Sequence, residues 1–427
     1  MNYTNYNMGA YNLHIIKNDN FKTINVNIKF KSKLVKEEIT IRNMLRLILV
    51  NSTKNYPTER LLNIKSEELY NLNYGSRGVI SGNFSILSFE ADFLNPKYTD
   101  ASDLEAYFDF LFEILFNPNA QNKKFDSFNF NLVKNVLKNV IESEIENPNN
   151  YALNRLLYEM DKTANYSFDP NGYIKDLEKI DEADLYKAYQ KMLKKDIVDI
   201  FVIGDVNANE IKNIFSDKFI INTIKKPVGT HFIEHKKFRS RPKTIKEEKD
   251  ISQSKLYLGF KSNDTSLFEK QYVSYVYSFI LGGGPDSKLF KSVREKNSLC
   301  YYVSSSFKPV SNLLLVTSGI DKDAYRKAVN LIKKEIKNMS LGDFTDEDIK
   351  KAITTYLNSS GSLLDSPNSI INSYVVNEYL GYDPIDERIK KINSVTKDMI
   401  IEFSKKIHLD TIYLLEGGDM NEKTRIS

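Results

Sequence analysis

Cysteine and histidine are scarce in this chain: 427 residues hold one cysteine, Cys300, and four histidines. A single cysteine excludes an internal disulfide framework and fits a reducing compartment. As a nucleophile Cys300 would need a nearby base. It alternates on an expected strand with no histidine close in sequence, so a buried or half-buried thiol is the simpler reading. Long apolar runs are also lacking. None reaches about eighteen residues, so no helical membrane span is expected. The first twenty residues carry no apolar h-region, so no secretory signal is expected. Neither sign of charge dominates: 60 basic and 56 acidic residues leave +4 at pH 7. The charges are interspersed, apart from short clusters such as Lys236 and Lys237 with Arg239 and Arg241. Without a basic tail or basic amphipathic run, no nucleic-acid partner is expected. These absences together predict a soluble, cytoplasmic protein with no membrane partner.

The apolar content of 41% and charged content of 27% suffice for packed cores, and the length suits two to three domains. Residues 12–16 and 23–31 alternate as strands, and 36–50 has helical spacing of Ile39, Ile41, Met44, Leu45, Ile48 and Leu49. A helix over 58–71 and strands over 78–92 follow. Helices are then expected over 103–116, 131–145, 151–160 and 184–193, and a β-branched strand over 197–204. The segment 108–116 (FDFLFEILF) is apolar nearly throughout and reads as core. Residues 224–249 are basic, contain Pro227 and Pro242, show no sustained period, and read as an interdomain linker. After it the order recurs: a strand at 254–261, a helix at 268–281, strands through Gly319, and helices at 324–338, 345–358 and 395–406. Thr345 and Asp348 stand as a capping box, and 411–417 closes like 197–204. This is an internal repeat of element order, with little residue identity. It predicts an α+β fold of two homologous halves, 1–223 and 250–427, each a mainly antiparallel sheet packed with helices.

The densest chemistry lies at 282–303, GGGPDSKLFKSVREKNSLCYYV. A glycine turn leads into a short helix carrying Arg294 and then a strand carrying Tyr301. A guanidinium and a phenol can together hold the carbonyls of an extended peptide. The plain alternative is that Arg294 is a solvated helix charge and Tyr301 is core. The glycines do not make a phosphate loop: no Lys-Ser/Thr follows at the right spacing, and Pro285 removes an N–H donor. A second motif stands at 231–235, HFIEH, a literal H-x-x-E-H. On a helix His231 and His235 would share a face. Pro227 and Gly229 precede it, however, no helix is evident around it, and no third ligand is apparent, so a solvated linker is the alternative.

The pattern of glycine turn, Arg294, Glu295, Lys296, Leu299 and Tyr301 resembles the C-terminal half of the insulinase/pitrilysin metallopeptidases. The resemblance runs from about Tyr11 to Gly418. More narrowly it points to the non-catalytic bacterial, YmfF-like branch. It implies two α/β-roll halves closing as a clamshell, with Arg294 and Tyr301 binding substrate backbone. It also implies zinc on an inverted H-x-x-E-H in the first helix of the first half, with the Glu as general base. The corresponding positions here are Asn43, Met44, Leu45, Arg46 and Leu47. Neither His is present, and a cation replaces the base. The helix expected to supply the third ligand, 133–141, has no acidic residue; Glu142 and Glu144 come later.

The resemblance therefore implies no metal and no catalytic residue in this chain. It implies a non-catalytic, peptide-binding subunit of a heteromeric zinc peptidase, whose partner chain keeps H-x-x-E-H and the zinc. Two other readings stand beside it. One is a stand-alone peptide-binding scaffold; the other is an active zinc peptidase using His231, Glu234 and His235.

Overall fold

The computed structural model describes residues 2–100, 104–223 and 229–417. The chain divides into two compact units. Unit 1 takes residues 1–143, 169–229 and 365–372; unit 2 takes 144–168, 230–364 and 373–427.

The sheet of unit 1 is built from β1 (Asn2–Asn7), β2 (Tyr11–Lys17), β3 (Thr23–Lys33), β4 (Asn73–Ser81), β5 (Phe84–Leu94) and a later strand, after a small hairpin of β6 (Ala120–Gln121) and β7 (Lys124–Phe125). That later strand is β8 (Ile197–Gly204), and the order is β1-β2-β8-β3-β5-β4. Only β2 and β8 run parallel; the other pairs are antiparallel. The helices are α1 (Ile39–Leu49), α2 (Glu59–Glu68), α3 (Leu104–Phe116) and α4 (Ser127–Glu146). After α5 (Pro148–Met160), which belongs to unit 2, come α6 (Ile174–Leu177), α7 (Glu182–Lys195) and α8 (Ala208–Lys218). The aromatic run of α3 is core, as expected: Phe108 and Phe112 each meet Phe215 of α8 edge-on at 5.3 Å.

Strand β3 alternates Ile24, Val26, Ile28 and Phe30 with Asn25, Asn27, Lys29 and Lys31. Such a pattern predicts one dry and one wet face. Both faces are in fact buried. The polar face survives burial by pairing across strands. Lys29 Nζ donates to Ser88 Oγ at 3.1 Å, and Asn27 Nδ2 donates to Glu90 Oε1 at 3.1 Å. Burial lowers the Lys29 pKa to about 8. His14 is equally enclosed, stacked on Phe201 at 4.3 Å and hydrogen-bonded to the Tyr3 hydroxyl at 2.7 Å.

Unit 2 repeats the plan. Its strands are β9 (Lys243–Lys249), β10 (Ser254–Ser262), β11 (Cys300–Lys308), β12 (Leu313–Ile320) and β13 (Ile407–Gly417), in the order β11-β12-β10-β13-β9. Its helices are α9 (Ser274–Gly282), α10 (Tyr325–Ser340), α11 (Asp346–Ser362), α12 (Pro367–Leu380), α13 (Ile385–Lys391) and α14 (Lys397–Lys405), although residues 365–372 group with unit 1. The capping box of Thr345 and Asp348 starts α11 as expected. Read from the parallel pair outward, β9-β13-β10-β12-β11 matches β2-β8-β3-β5-β4. The element repeat is thus a repeat of sheet topology, and the fold is α+β with two antiparallel-rich halves.

Two boundaries differ from the sequence expectation. The segment 224–249 is not linker throughout: its end is strand β9, paired parallel to β13. Its half-buried side holds a single apolar residue, Ile245, among Lys243, Glu247 and Lys249, so hydrophobic periodicity does not show it. Residues 144–168, expected in the first half, group with unit 2. There α5 closes one sheet face, packing Ala152, Leu156 and Met160 against Tyr257, Leu313, Tyr413 and Leu415. Among the described residues no helix is long and apolar enough to cross a membrane.

Candidate functional site

Three groups of residues carry the chemistry predicted from sequence. The first is on α1. Ile39, Met44, Leu45, Ile48 and Leu49 bury one face of that helix. Arg42 anchors it on another side, with an ion pair to Asp196 at 2.8 Å and a hydrogen bond to Ser85 Oγ at 3.0 Å. Asn43 is buried, and its amide donates to the carbonyls of Ile39 (3.1 Å) and Pro170 (2.6 Å). Arg46 Nε donates to Asn43 Oδ1 at 3.0 Å, and Arg46 Nη1 to the Ser76 carbonyl at 3.4 Å. Leu47 packs at the core margin. These residues do not fit a zinc ion. The Asn43 oxygen is committed to Arg46, Leu47 has no donor atom, and a guanidinium is a cation with no lone pair to give. Burial lowers the Arg46 pKa from its ordinary value without removing its charge. The core-facing positions of α4 are Asn129, Phe130, Val133, Leu137 and Ile141, again without an acid.

The second group is HFIEH. It is neither helix nor solvated linker. Residues 231–235 lie as an irregular extended strap in unit 2 with both histidines buried. His231 stacks on Tyr379 at 5.3 Å. His235 Nε2 is 2.9 Å from the Ser311 carbonyl, and its ring meets Tyr166 at 5.8 Å. Burial lowers the His235 pKa. Glu234 accepts from Asn312 Nδ2 at 3.0 Å and lies 3.6 Å from Lys270 Nζ. Each side chain is thus held by a different neighbour, and no shared face forms. Among the described residues, no three His, Cys, Asp or Glu side chains are grouped to hold a metal ion.

The third group is Arg294 and Tyr301. Phe290–Glu295 forms a wide π-type turn, and the chain reverses through Ser298 at a positive φ of 50°. This brings Arg294 back beside the first residues of β11. The Arg294 guanidinium carbon lies 4.6 Å from the Phe290 ring centre and 5.8 Å from that of Tyr301. Tyr301 is 76% exposed, so it is not core. Arg294 is exposed too, and among the described residues it meets no carboxylate and donates no side-chain hydrogen bond. The pair therefore presents a phenol on the edge strand of the sheet and a cation from the turn beside it, both unspent. Cys300 next to them is half-buried, and burial pushes its thiol pKa up, away from thiolate chemistry.

Sequence reasoning missed the partners of these groups. Phe290, which supports the guanidinium, is visible as an aromatic four residues before Arg294. Ser76 and Gly78, which meet Arg46 and Asn43 from β4, have no sequence signal linking them to α1.

Residues 179–356 match the family model described as the peptidase M16 inactive domain. The chain is 30% identical over 420 residues to the probable inactive metalloprotease YmfF of Bacillus subtilis, covering 96% of this chain and 97% of that protein. It is 26% identical over 216 residues to an uncharacterized zinc protease, YmxG, of the same bacterium, covering 50% of this chain and 51% of that one. A crystal structure of a conserved protein from Enterococcus faecalis superposes with a TM-score of 0.92 at 30% identity, covering 99% of this chain and all of that one. The chain belongs to the M16, insulinase/pitrilysin-type, metallopeptidase family.

Proposed function

We propose that this chain is a non-catalytic, peptide-holding subunit of a heteromeric M16 zinc peptidase. A partner chain with an intact H-x-x-E-H would hold the zinc and the general base. The observation that carries this reading is a contrast within one molecule. The positions of the metal motif are filled by an internal Asn43–Arg46 hydrogen bond, whereas Arg294 and Tyr301 stand exposed with their donors unused. An unspent guanidinium beside a phenol on a strand edge suits the carbonyls of an extended peptide. The relative named a probable inactive metalloprotease, and the same bacterium's relative named a zinc protease, are consistent with a division of labour between two chains. The assembly is proposed for the cytoplasm.

The test is to purify the chain alone and with M16 chains of its own genome that carry H-x-x-E-H. Peptide cleavage and zinc content are measured for each. The expected result is no cleavage by this chain alone and cleavage by the mixture. Zinc-dependent cleavage by this chain alone, abolished by His235→Ala, would establish the strap as a metal site instead. If no mixture shows a gain yet peptides still bind, the chain is a stand-alone peptide-binding scaffold.

A further inference from the structure

The Arg46 guanidinium is half-buried, and among the described residues it has no acidic partner. Both of its hydrogen-bond acceptors are neutral, the Asn43 amide oxygen and the Ser76 carbonyl. A guanidinium has five N–H donors, so most remain unspent. A half-buried charge with only neutral acceptors is costly unless an anion arrives.

Its surroundings are made for it. Ser76 Oγ returns a hydrogen bond to the Arg46 carbonyl at 2.9 Å, tying α1 to β4. Two residues on, Gly78 leaves the room the guanidinium occupies: a Cβ there would lie 2.7 Å from Asn43 Oδ1 and 3.1 Å from Arg46 Nε. Strand β4 is the last strand of its sheet, half-exposed along its length, and its outer edge has no strand partner among the described residues. Arg77, exposed on the same strand, has no ion pair among the described residues either. Unit 1 therefore sets an open strand edge beside two uncompensated guanidiniums.

We infer that β4 and Arg46 form a binding site for an extended peptide bearing a carboxylate. The peptide adds to the β4 edge through main-chain hydrogen bonds, and the carboxylate takes the free fork of Arg46, a geometry that fits it bidentately. The carboxylate comes from an acidic side chain or from the peptide's C-terminus. This deepens the proposed function by naming the class of peptide held, and it rests on that reading.

The experiment uses the full chain and three short, unlabelled, N-acetylated peptides rich in Thr and Val, with binding read by titration calorimetry. One has an internal Glu and an amidated end, one a free C-terminus and no acid, and one neither. At least one carboxylate peptide is expected to bind about tenfold more tightly than the neutral one. Arg46→Gln is expected to erase that preference, and Arg46→Lys to retain part of it. A preference that persists in Arg46→Gln, or that is absent from the parent chain, overturns the Arg46 site while leaving the peptide-holding reading intact. No binding of any peptide to the parent chain, with or without a catalytic partner, overturns that reading and this site with it. Should Arg46→Gln fold poorly, hydrogen exchange of residues 73–81 in the parent chain decides. Protection on adding the acid-bearing peptide supports the site, and unchanged exchange overturns it.

Discussion

Gly282, the last residue of α9, stands against the backbone of Ser305 in β11. A Cβ on Gly282 would lie 2.6 Å from the Ser305 nitrogen and 2.9 Å from its hydroxyl oxygen. The contact is reinforced one turn back, where Ser305 Oγ donates to the Ser278 carbonyl at 2.9 Å and Ser278 Oγ accepts the Phe307 N–H at 3.1 Å. The first glycine of the turn thus sets the distance between α9 and the strand that carries Tyr301. Gly282→Ala should destabilise the chain by about 1–3 kcal/mol, because backbone, not a flexible side chain, meets the added methyl. Thermal unfolding measures it. Gly284→Ala is the control, since nothing lies within 4 Å of a Cβ there.

Arg294 and Tyr301 lead to the opposite expectation. Both are exposed, and their contact is a cation over a ring face. Arg294→Ala and Tyr301→Phe should each change stability by less than about 0.5 kcal/mol. In the reconstituted heteromer each should reduce cleavage about tenfold or more, mainly through weaker peptide holding. Unfolding curves and steady-state kinetics separate the two quantities. Unchanged kinetics with unchanged stability would remove the pair from the function.

The two-half organisation was legible because each half repeats the same order of strand and helix patterns, and α1, α3 and the α11 capping box follow from spacing alone; the strand order within each sheet was not. Strand β9 was not legible. Its inward side carries Lys243 and Glu247, which are paired by residues from distant parts of the chain: Glu159 for Lys243, and Arg155 and Tyr413 for Glu247. The HFIEH strap misled for a related reason. The pattern assumes a helix, but Asn312, Asn263 and Tyr379 each claim a separate residue and hold the strap extended. Arg294 and Tyr301 could be proposed as a pair from the motif, but their exposure follows from the π-type turn and the reversal at Ser298. Neither has a sequence signature.

Helix α5 is tied to β9 by a carboxylate network. Arg155 Nε donates to Glu247 at 2.9 Å, and the hydroxyls of Tyr151 and Tyr413 donate to Glu247 at 3.0 and 2.9 Å. Burial raises the Glu247 pKa, but these three hydrogen bonds overrule it and hold the carboxyl below its ordinary value. Glu159 is also held low, first by its hydrogen bond from Lys243. A carboxylate whose folded pKa is lowered stabilises the fold above its unfolded value of about 4.3, and that stability is lost as pH falls through the folded pKa. Stability should therefore fall with decreasing pH below about 4.3. Glu247→Gln should lower the melting temperature at pH 7 and flatten its decline toward pH 3. An equal acid decline in Glu247→Gln would mean that other carboxylates govern it.

Rebuilding H-x-x-E-H on α1 tests whether losing the motif is the whole of the difference from a zinc enzyme. The triple substitution Asn43→His, Arg46→Glu and Leu47→His restores the motif's residue types, but it faces two obstacles in this fold. Removing the buried Asn43 takes away the donor to the Pro170 carbonyl and leaves that acceptor unpaired, at a cost of about 1–3 kcal/mol. The core face of α4 offers Val133, Leu137 and Ile141 where a third ligand is needed, while Glu142 is exposed on another side. Two histidines without a third protein ligand make a weak and incomplete zinc site. The triple variant should melt lower than the parent and cleave peptides no faster. Metal analysis after dialysis against zinc should find less than one equivalent retained. Stoichiometric zinc with peptide cleavage would show that a ligand from outside α4 completes the site.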